Sequence, residues 1–262
     1  CDVRGFTTIS EQFDAVGLTA LINKLLTPLT NVILSNQGTV DKYMGDCIMA
    51  FWNAPLDDDD HARNGCISAL KMLAEMEPLN KRLEQEAKEE GRKHVELKVG
   101  LGLNSGECVV GNMGSDQRFD YSVLGDTVNL AARLEGQSKA YGVDIVIGET
   151  TQAEVPELAA IELDLIKVKG KTKAVHIYAL LGDQTVAAEK DFQALESVNS
   201  DMLAAYRAQE WEKARTLANW ARERGAPYRL DHLYDLYEER IKSFEEAPPP
   251  ADWDGFFVAT TK

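Results

Sequence analysis

Two alternating runs flank a two-residue break: Thr39-Val40-Asp41-Lys42-Tyr43-Met44, then Gly45-Asp46, then Cys47-Ile48-Met49-Ala50-Phe51-Trp52. Strand-forming runs joined by two residues that include Gly close as a tight antiparallel hairpin, because such a loop needs a backbone conformation that Gly adopts without penalty. Antiparallel strands can be joined this tightly, whereas parallel ones need a long crossover. The pattern therefore reads as a tight hairpin that puts the carboxylate of Asp46 at its turn.

The segments around the hairpin alternate between helix and strand signals. Asp14 is a candidate N-cap. After it, Leu18, Leu21, Ile22, Leu25, Leu29, Val32 and Ile33 repeat at helical spacing until Gly38, with Pro28 expected to bend the helix. Asp57 to Asp60 are expected to open a second helix, where acidic residues suit the N-terminal dipole, and its end from Lys81 to Lys93 reads as solvated. Val95 to Leu103 reads as a strand, Cys108 to Gly111 as the start of another, and Asn112 to Phe119 as an exposed arm. Asp126 to Tyr141 is helical, and Val143 to Ile147, Ile161 to Val168 and Val175 to Leu181 complete a sheet. The order implies an α+β fold with a ferredoxin-like βαββαβ core and extra strands. Residues 183–247 are rich in Ala, Glu and Arg with few strand formers. They read as a small helical extension, similar to one helical-hairpin repeat of the tetratricopeptide kind.

Composition narrows the class of function. With 44% hydrophobic and 27% charged residues the chain is globular in character, and no apolar run approaches the ~20 residues that span a bilayer. A net charge of −15 argues against sequence-independent binding to nucleic acid or anionic lipid. A polyphosphate would need metal ions and local cations to offset that field. Cys1, Cys47, Cys66 and Cys108 lack paired metal-site spacing and read as free thiols in small apolar positions. The Asp57–Asp60 run lacks the spacing and the Gly of an EF-hand loop and reads as solvated.

Several residues could carry chemistry. Asp2 and Asp46 both stand at strand ends, and two carboxylates brought together invite divalent metals, which bind phosphate in turn. Val3 to Thr7 forms a Gly-containing turn opening a helix, so backbone N–H groups near Phe6 and Thr7 can face phosphate. Asn129 and Arg133 lie four apart on one helix face, where an amide can orient a ribose and a guanidinium can neutralise phosphate charge. Lys42 can donate to a ring nitrogen of a base.

The blocks CDVRGFTTIS, VDKYMGDCIMAFWNAP, GLGLNSGECVVGNMGS and YSVLGDTVNLAARLE, in this order, closely resemble the signature blocks of class III adenylyl and guanylyl cyclases, and VKGK at Val168 to Lys171 fits the block near that domain's end. The resemblance covers residues 1–182. It implies a homodimer with active sites shared between chains, ATP as substrate, and two Mg2+ ions per site, with Mn2+ as the alternative. By position it implies Asp2 and Asp46 as metal ligands, Lys42 and Ser122 as readers of the base, Asn129 as the ribose-orienting residue and Arg133 as the transition-state arginine. It also implies phosphate contacts by Phe6, Thr7 and Lys171. Lysine donates to the acceptor N1 of adenine, whereas GTP-specific relatives resemble one another in carrying Glu there. Ser122 replaces the Asp common at its position and can accept from the adenine 6-amine.

The family's first strand precedes Asp2 by several apolar residues, so the resemblance implies that this strand is truncated here. It further implies a cytoplasmic catalytic domain, with a sensor or membrane region upstream in a longer parent. Two other readings follow from the residues: a non-catalytic nucleotide-binding or dimerisation module, and a guanylyl cyclase.

Overall fold

The structure is a computed structural model and describes residues 1–167, 174–250 and 253–258. In chain order its elements are β1 (Asp2–Val3), α1 (Phe6–Ser10), α2 (Ala15–Ser35), β2 (Thr39–Met44), β3 (Cys47–Phe51), α3 (His61–Glu89), β4 (Val99–Leu103), β5 (Val109–Ser115), β6 (Arg118–Leu124), α4 (Asp126–Tyr141), β7 (Ile145–Gly148), α5 (Glu149–Glu154), β8 (Ala159–Lys167), β9 (Val175–Gly182), α6 (Gln184–Ala187), α7 (Lys190–Arg207), α8 (Trp211–Gly225), α9 (Asp231–Glu246) and β10 (Phe257–Val258). The chain forms two compact units. One holds Cys1–Leu101 and Ser105–Leu130, the other Gly102–Asn104 and Ala131–Lys262.

In the first unit, Asp14 caps α2 by accepting from the Gly17 N–H at 2.7 Å. The helix runs on through Pro28 and buries Leu21, Leu25, Leu29, Val32 and Ile33, packing on α3 and β2. By length and composition alone α2 could cross a bilayer, contrary to the sequence expectation. Here its apolar stripe is part of the unit's core. The β2–β3 hairpin forms as expected, with Met44 opposite Cys47 and Gly45 at φ 67°. One departure matters. Val40 faces Ala50 and Lys42 faces Met49, so Asp41 is the extra residue of a β-bulge. Strand β1 pairs antiparallel with β4, Asp2 opposite Gly100, and Cys1 exchanges two backbone hydrogen bonds with Ile48 of β3.

Three boundaries differ from the sequence reading. Helix α3 starts at His61, because the Asp58 carboxylate folds back to accept from Asp60 N–H at 3.0 Å and Asn64 Nδ2 at 2.9 Å. Asp58 is thereby buried rather than solvated. The end of α3 is not wholly solvated either, since Leu83 and Ala87 continue the buried stripe. Strand β4 starts at Val99, because the Asn80 side chain brackets Leu97 and takes both its N–H and its C=O at 2.8 Å. Of the four cysteines only Cys66 is buried, and all are free. The expected arm is the β5–β6 hairpin, which exposes Val109, Phe119 and Leu124.

In the second unit, β7, β9, β8 and β10 lie side by side. The β7–β9 and β9–β8 pairs are antiparallel, and β8–β10 is parallel with Phe257 opposite Ile166. Gly102 lets β4 approach α4 backbone to backbone, for a Cβ there would sit 2.3 Å from Ala131 O and 2.2 Å from Glu135 N. A buried polar network joins the strands to α9. The Asp164 carboxylate accepts from Tyr141 Oη and Arg240 Nη1, both at 2.6 Å, and from Leu165 N–H at 2.8 Å. The Arg240 guanidinium lies 3.7 Å from the Phe257 ring centroid. Trp211 and Trp253 pack with Tyr206 and Phe244, whereas Trp220 is exposed.

Candidate active site

The turn after β2 and the end of β1 bring Asp2 and Asp46 together. Asp2 Oδ1 accepts from the Val3 N–H at 2.9 Å, and Asp46 Oδ2 accepts from the same N–H at 3.2 Å. Burial, together with the hydrogen bond and negative charge of Asp2, pushes the Asp46 carboxyl up to about 6. Two oxygen ligands that repel each other in this way are the donor set a hard divalent cation satisfies. The pair therefore fits a divalent cation.

A second cluster lies on β2 and β6. Asp41, whose side chain is fully buried, accepts through Oδ2 from Ser122 Oγ at 2.7 Å and from Val123 N–H at 3.1 Å. Its other oxygen accepts no hydrogen bond among the described residues and faces the Lys42 ammonium at 3.2 Å. The sequence reading named Lys42 and Ser122 and overlooked Asp41. The available signal was the pair of consecutive charged residues, which breaks the alternation of β2 and marks the bulge.

Asn129 and Arg133 lie on α4, four residues apart as expected. Asn129 is exposed. Arg133 is half-buried, and its Nη1 is buried with no hydrogen-bond partner among the described residues. An orphaned buried donor costs ~1–3 kcal/mol until an acceptor arrives, and a phosphate oxygen is such an acceptor. Phe6 and Thr7 form the first turn of α1, with Gly5 ahead of them at φ 70°. Lys171 lies outside the described residues. Among the described residues no group of three or more His, Cys, Asp or Glu side chains is placed to hold a metal. The candidate metal centre is the carboxylate pair, whose oxygens converge on the Val3 N–H.

Residues 1–182 match the family model of the adenylate and guanylate cyclase catalytic domain. The chain belongs to this family. Adenylate cyclase 1 of Rhizobium meliloti is 32% identical over 182 residues, 69% of this chain and 26% of that protein. An adenylate cyclase of Anabaena cylindrica is 33% identical over 182 residues, 68% of this chain and 35% of that protein. The chain thus spans about a quarter to a third of the length of these curated relatives. Among solved structures, the adenylyl cyclase CyaB from P. aeruginosa superposes with a TM-score of 0.61 at 33% identity, covering 70% of this chain and 91% of that one. The guanylyl cyclase Cya2 gives 0.59 at 30% identity, covering 70% and 89%. Adenylyl and guanylyl cyclases share this fold to a similar degree, so the choice of base rests on individual side chains.

Proposed function

We propose that the chain converts ATP to 3′,5′-cyclic AMP and pyrophosphate for signal transduction, at sites shared between two copies of itself. The observation that carries this reading is the convergence of Asp2 and Asp46 on the Val3 N–H, which supplies two adjacent carboxylates. Asp2 and Asp46 would hold two Mg2+ ions, which would supply charge neutralisation for the triphosphate and ease deprotonation of the ribose 3′-hydroxyl.

The chain's own groups bind and orient the nucleotide. Lys42 donates to adenine N1, and Ser122 accepts from the 6-amine. Asn129 holds the ribose, so that O3′ lies in line with the α-phosphorus. The O3′–Pα bond forms as the bond from Pα to the bridging oxygen breaks, the hydroxyl proton passes to water, and pyrophosphate leaves. The Arg133 guanidinium, whose Nη1 has no partner among the described residues, neutralises charge that grows on the phosphate oxygens. The first N–H groups of α1, at Phe6 and Thr7, face the triphosphate, and Lys171 is the lysine that the family resemblance assigns to phosphate. Lysine at position 42 disfavours GTP, whose N1 carries a proton. In this reading residues 183–262 form a helical extension to the catalytic domain, which works on the cytoplasmic side of a longer parent protein.

The test is incubation of the chain with Mg2+ and either ATP or GTP. Cyclic AMP from ATP, none from Asp46→Ala and little cyclic GMP is the expected result. No product from a dimeric sample with either nucleotide, even with Mn2+, overturns the reading in favour of a regulatory module.

A further inference from the structure

We infer that Asp41 is the positioning residue that sets base specificity, by fixing Ser122 as a hydrogen-bond acceptor and holding Lys42 beside it. The inference rests on the ATP-cyclase reading for the identity of the base, while its geometry stands on the structure alone. In a regular strand Asp41 and Lys42 would point to opposite faces. The bulge at Asp41 removes that alternation. Both side chains turn to one side, where Lys42 Nζ lies 3.2 Å from Asp41 Oδ1. Asp41 reaches across to β6 and, on its other oxygen, accepts hydrogen bonds from the Ser122 hydroxyl and the Val123 N–H.

A serine hydroxyl has one proton and two lone pairs. A carboxylate accepts and does not donate, so the Ser122 proton is committed to Asp41 and its remaining capacity is to accept. Toward a base it matches the 6-amine of adenine and mismatches the 6-oxo group of guanine. Lys42 next to it offers donors only, which suits adenine N1 and clashes with guanine N1–H. The donor–acceptor order that tells ATP from GTP is thus set by a buried residue that touches neither. This also accounts for how a neutral serine can stand where a charged acceptor is common: the negative charge sits one bond network behind it.

Asp41→Asn replaces an acceptor with an amide group. With its oxygen toward Ser122, the amide N–H group meets the Lys42 ammonium donor to donor. With the amide flipped, its N–H donates to Ser122 Oγ and frees the serine proton to serve guanine O6. Either arrangement erodes the preference for adenine.

Selectivity is measured two ways: as the ratio of kcat/KM for ATP over GTP, and by displacement of a fluorescent mant-ATP probe by ATP or GTP with Mg2+. Asp41→Asn is expected to lower the ATP:GTP ratio by about tenfold, the scale of one hydrogen bond. Its effect should fail to add to that of Ser122→Ala in the double variant. A second measurement leaves Asp41 unchanged. Purine riboside triphosphate, which lacks the 6-amine, should bind about tenfold more weakly than ATP to the wild type and equally well to Ser122→Ala.

A folded Asp41→Asn chain with the wild-type ratio overturns the inference. So does a Ser122→Ala chain that still favours ATP over the amine-free analogue. A wild type that binds adenine selectively yet makes no cyclic nucleotide overturns the enzymatic reading alone, and the displacement data then decide the role of Asp41. A wild type that binds neither nucleotide overturns both.

Discussion

Replacing Arg240 with Met tests the account of the second unit's core. Arg240 is 8% exposed and Asp164 1%, and their contact at 2.6 Å lies among Tyr141, Tyr237 and Phe257. Methionine keeps much of the apolar stem and removes the charge. Asp164 is left buried with only the Tyr141 hydroxyl and the Leu165 N–H to stabilise it. Breaking a buried pair from one side costs ~3–5 kcal/mol, because the desolvated partner remains. At roughly 2–4 °C per kcal/mol for a chain of this size, the melting temperature should fall by about 6–20 °C. Thermal melts followed by circular dichroism measure it, beside Asp164→Leu and the double variant. Removing both charges should recover much of the loss, giving a coupling energy above ~2 kcal/mol. A fall of less than ~3 °C, or single effects that simply add, would refute the reasoning.

Gly102→Val should lower turnover far more than it lowers ATP binding. Its side chain would meet the backbone of α4 at Ala131 and Glu135, on the helix that carries Arg133, and kcat measured separately from KM checks this. Mixing Asp46→Ala chains with Arg133→Ala chains should restore activity to about one quarter of the wild-type level if sites are shared in a two-fold dimer. Activity that stays at the level of the separate variants counts against shared sites. Burial would raise the Glu162 carboxyl, but hydrogen bonds and charge from Arg207 and His176 hold it below the usual range. A lowered carboxyl gives stability that is present above its unfolded value of roughly 4.3 and is lost as pH falls through the folded value. Glu162→Gln should therefore flatten the acid side of a melting-temperature profile between about pH 3 and 5, relative to the wild type.

What the sequence discloses depends on how local the physics is. The β2–β3 hairpin is legible because Gly45 and two alternating runs determine it within a dozen residues. Helix α4 is legible because its periodicity and its acidic start are intrinsic to the segment. The Asp2–Asp46 pair becomes visible only through ordered motifs, since nothing in the local sequence brings residue 2 to residue 46. The start of β4 was misjudged because the groups of Leu97 are taken by Asn80, a residue from a different element. Asp41 was overlooked for a related reason. Its partner Ser122 is 81 residues away, and the bulge that aims it is a property of the pairing rather than of either strand. The Asp164–Arg240 network, closed over 76 residues, left no local trace at all.

The pairing of Phe257 and Val258 with Ile166 and Lys167 has a consequence for how the chain is made. During synthesis β8 emerges long before its last neighbour, and until then one rim presents unpaired N–H and C=O groups to any extended peptide nearby. Phe257 and Val258 act as a stopper for that rim at Ile166 and Lys167. Arg240 holds them in place by sitting against Phe257, so the closure is fastened from the helical side as well. A chain interrupted before Trp253 would retain the first unit's Asp2, Asp46, Lys42 and Ser122, yet it would carry a sticky margin that favours self-association over solubility.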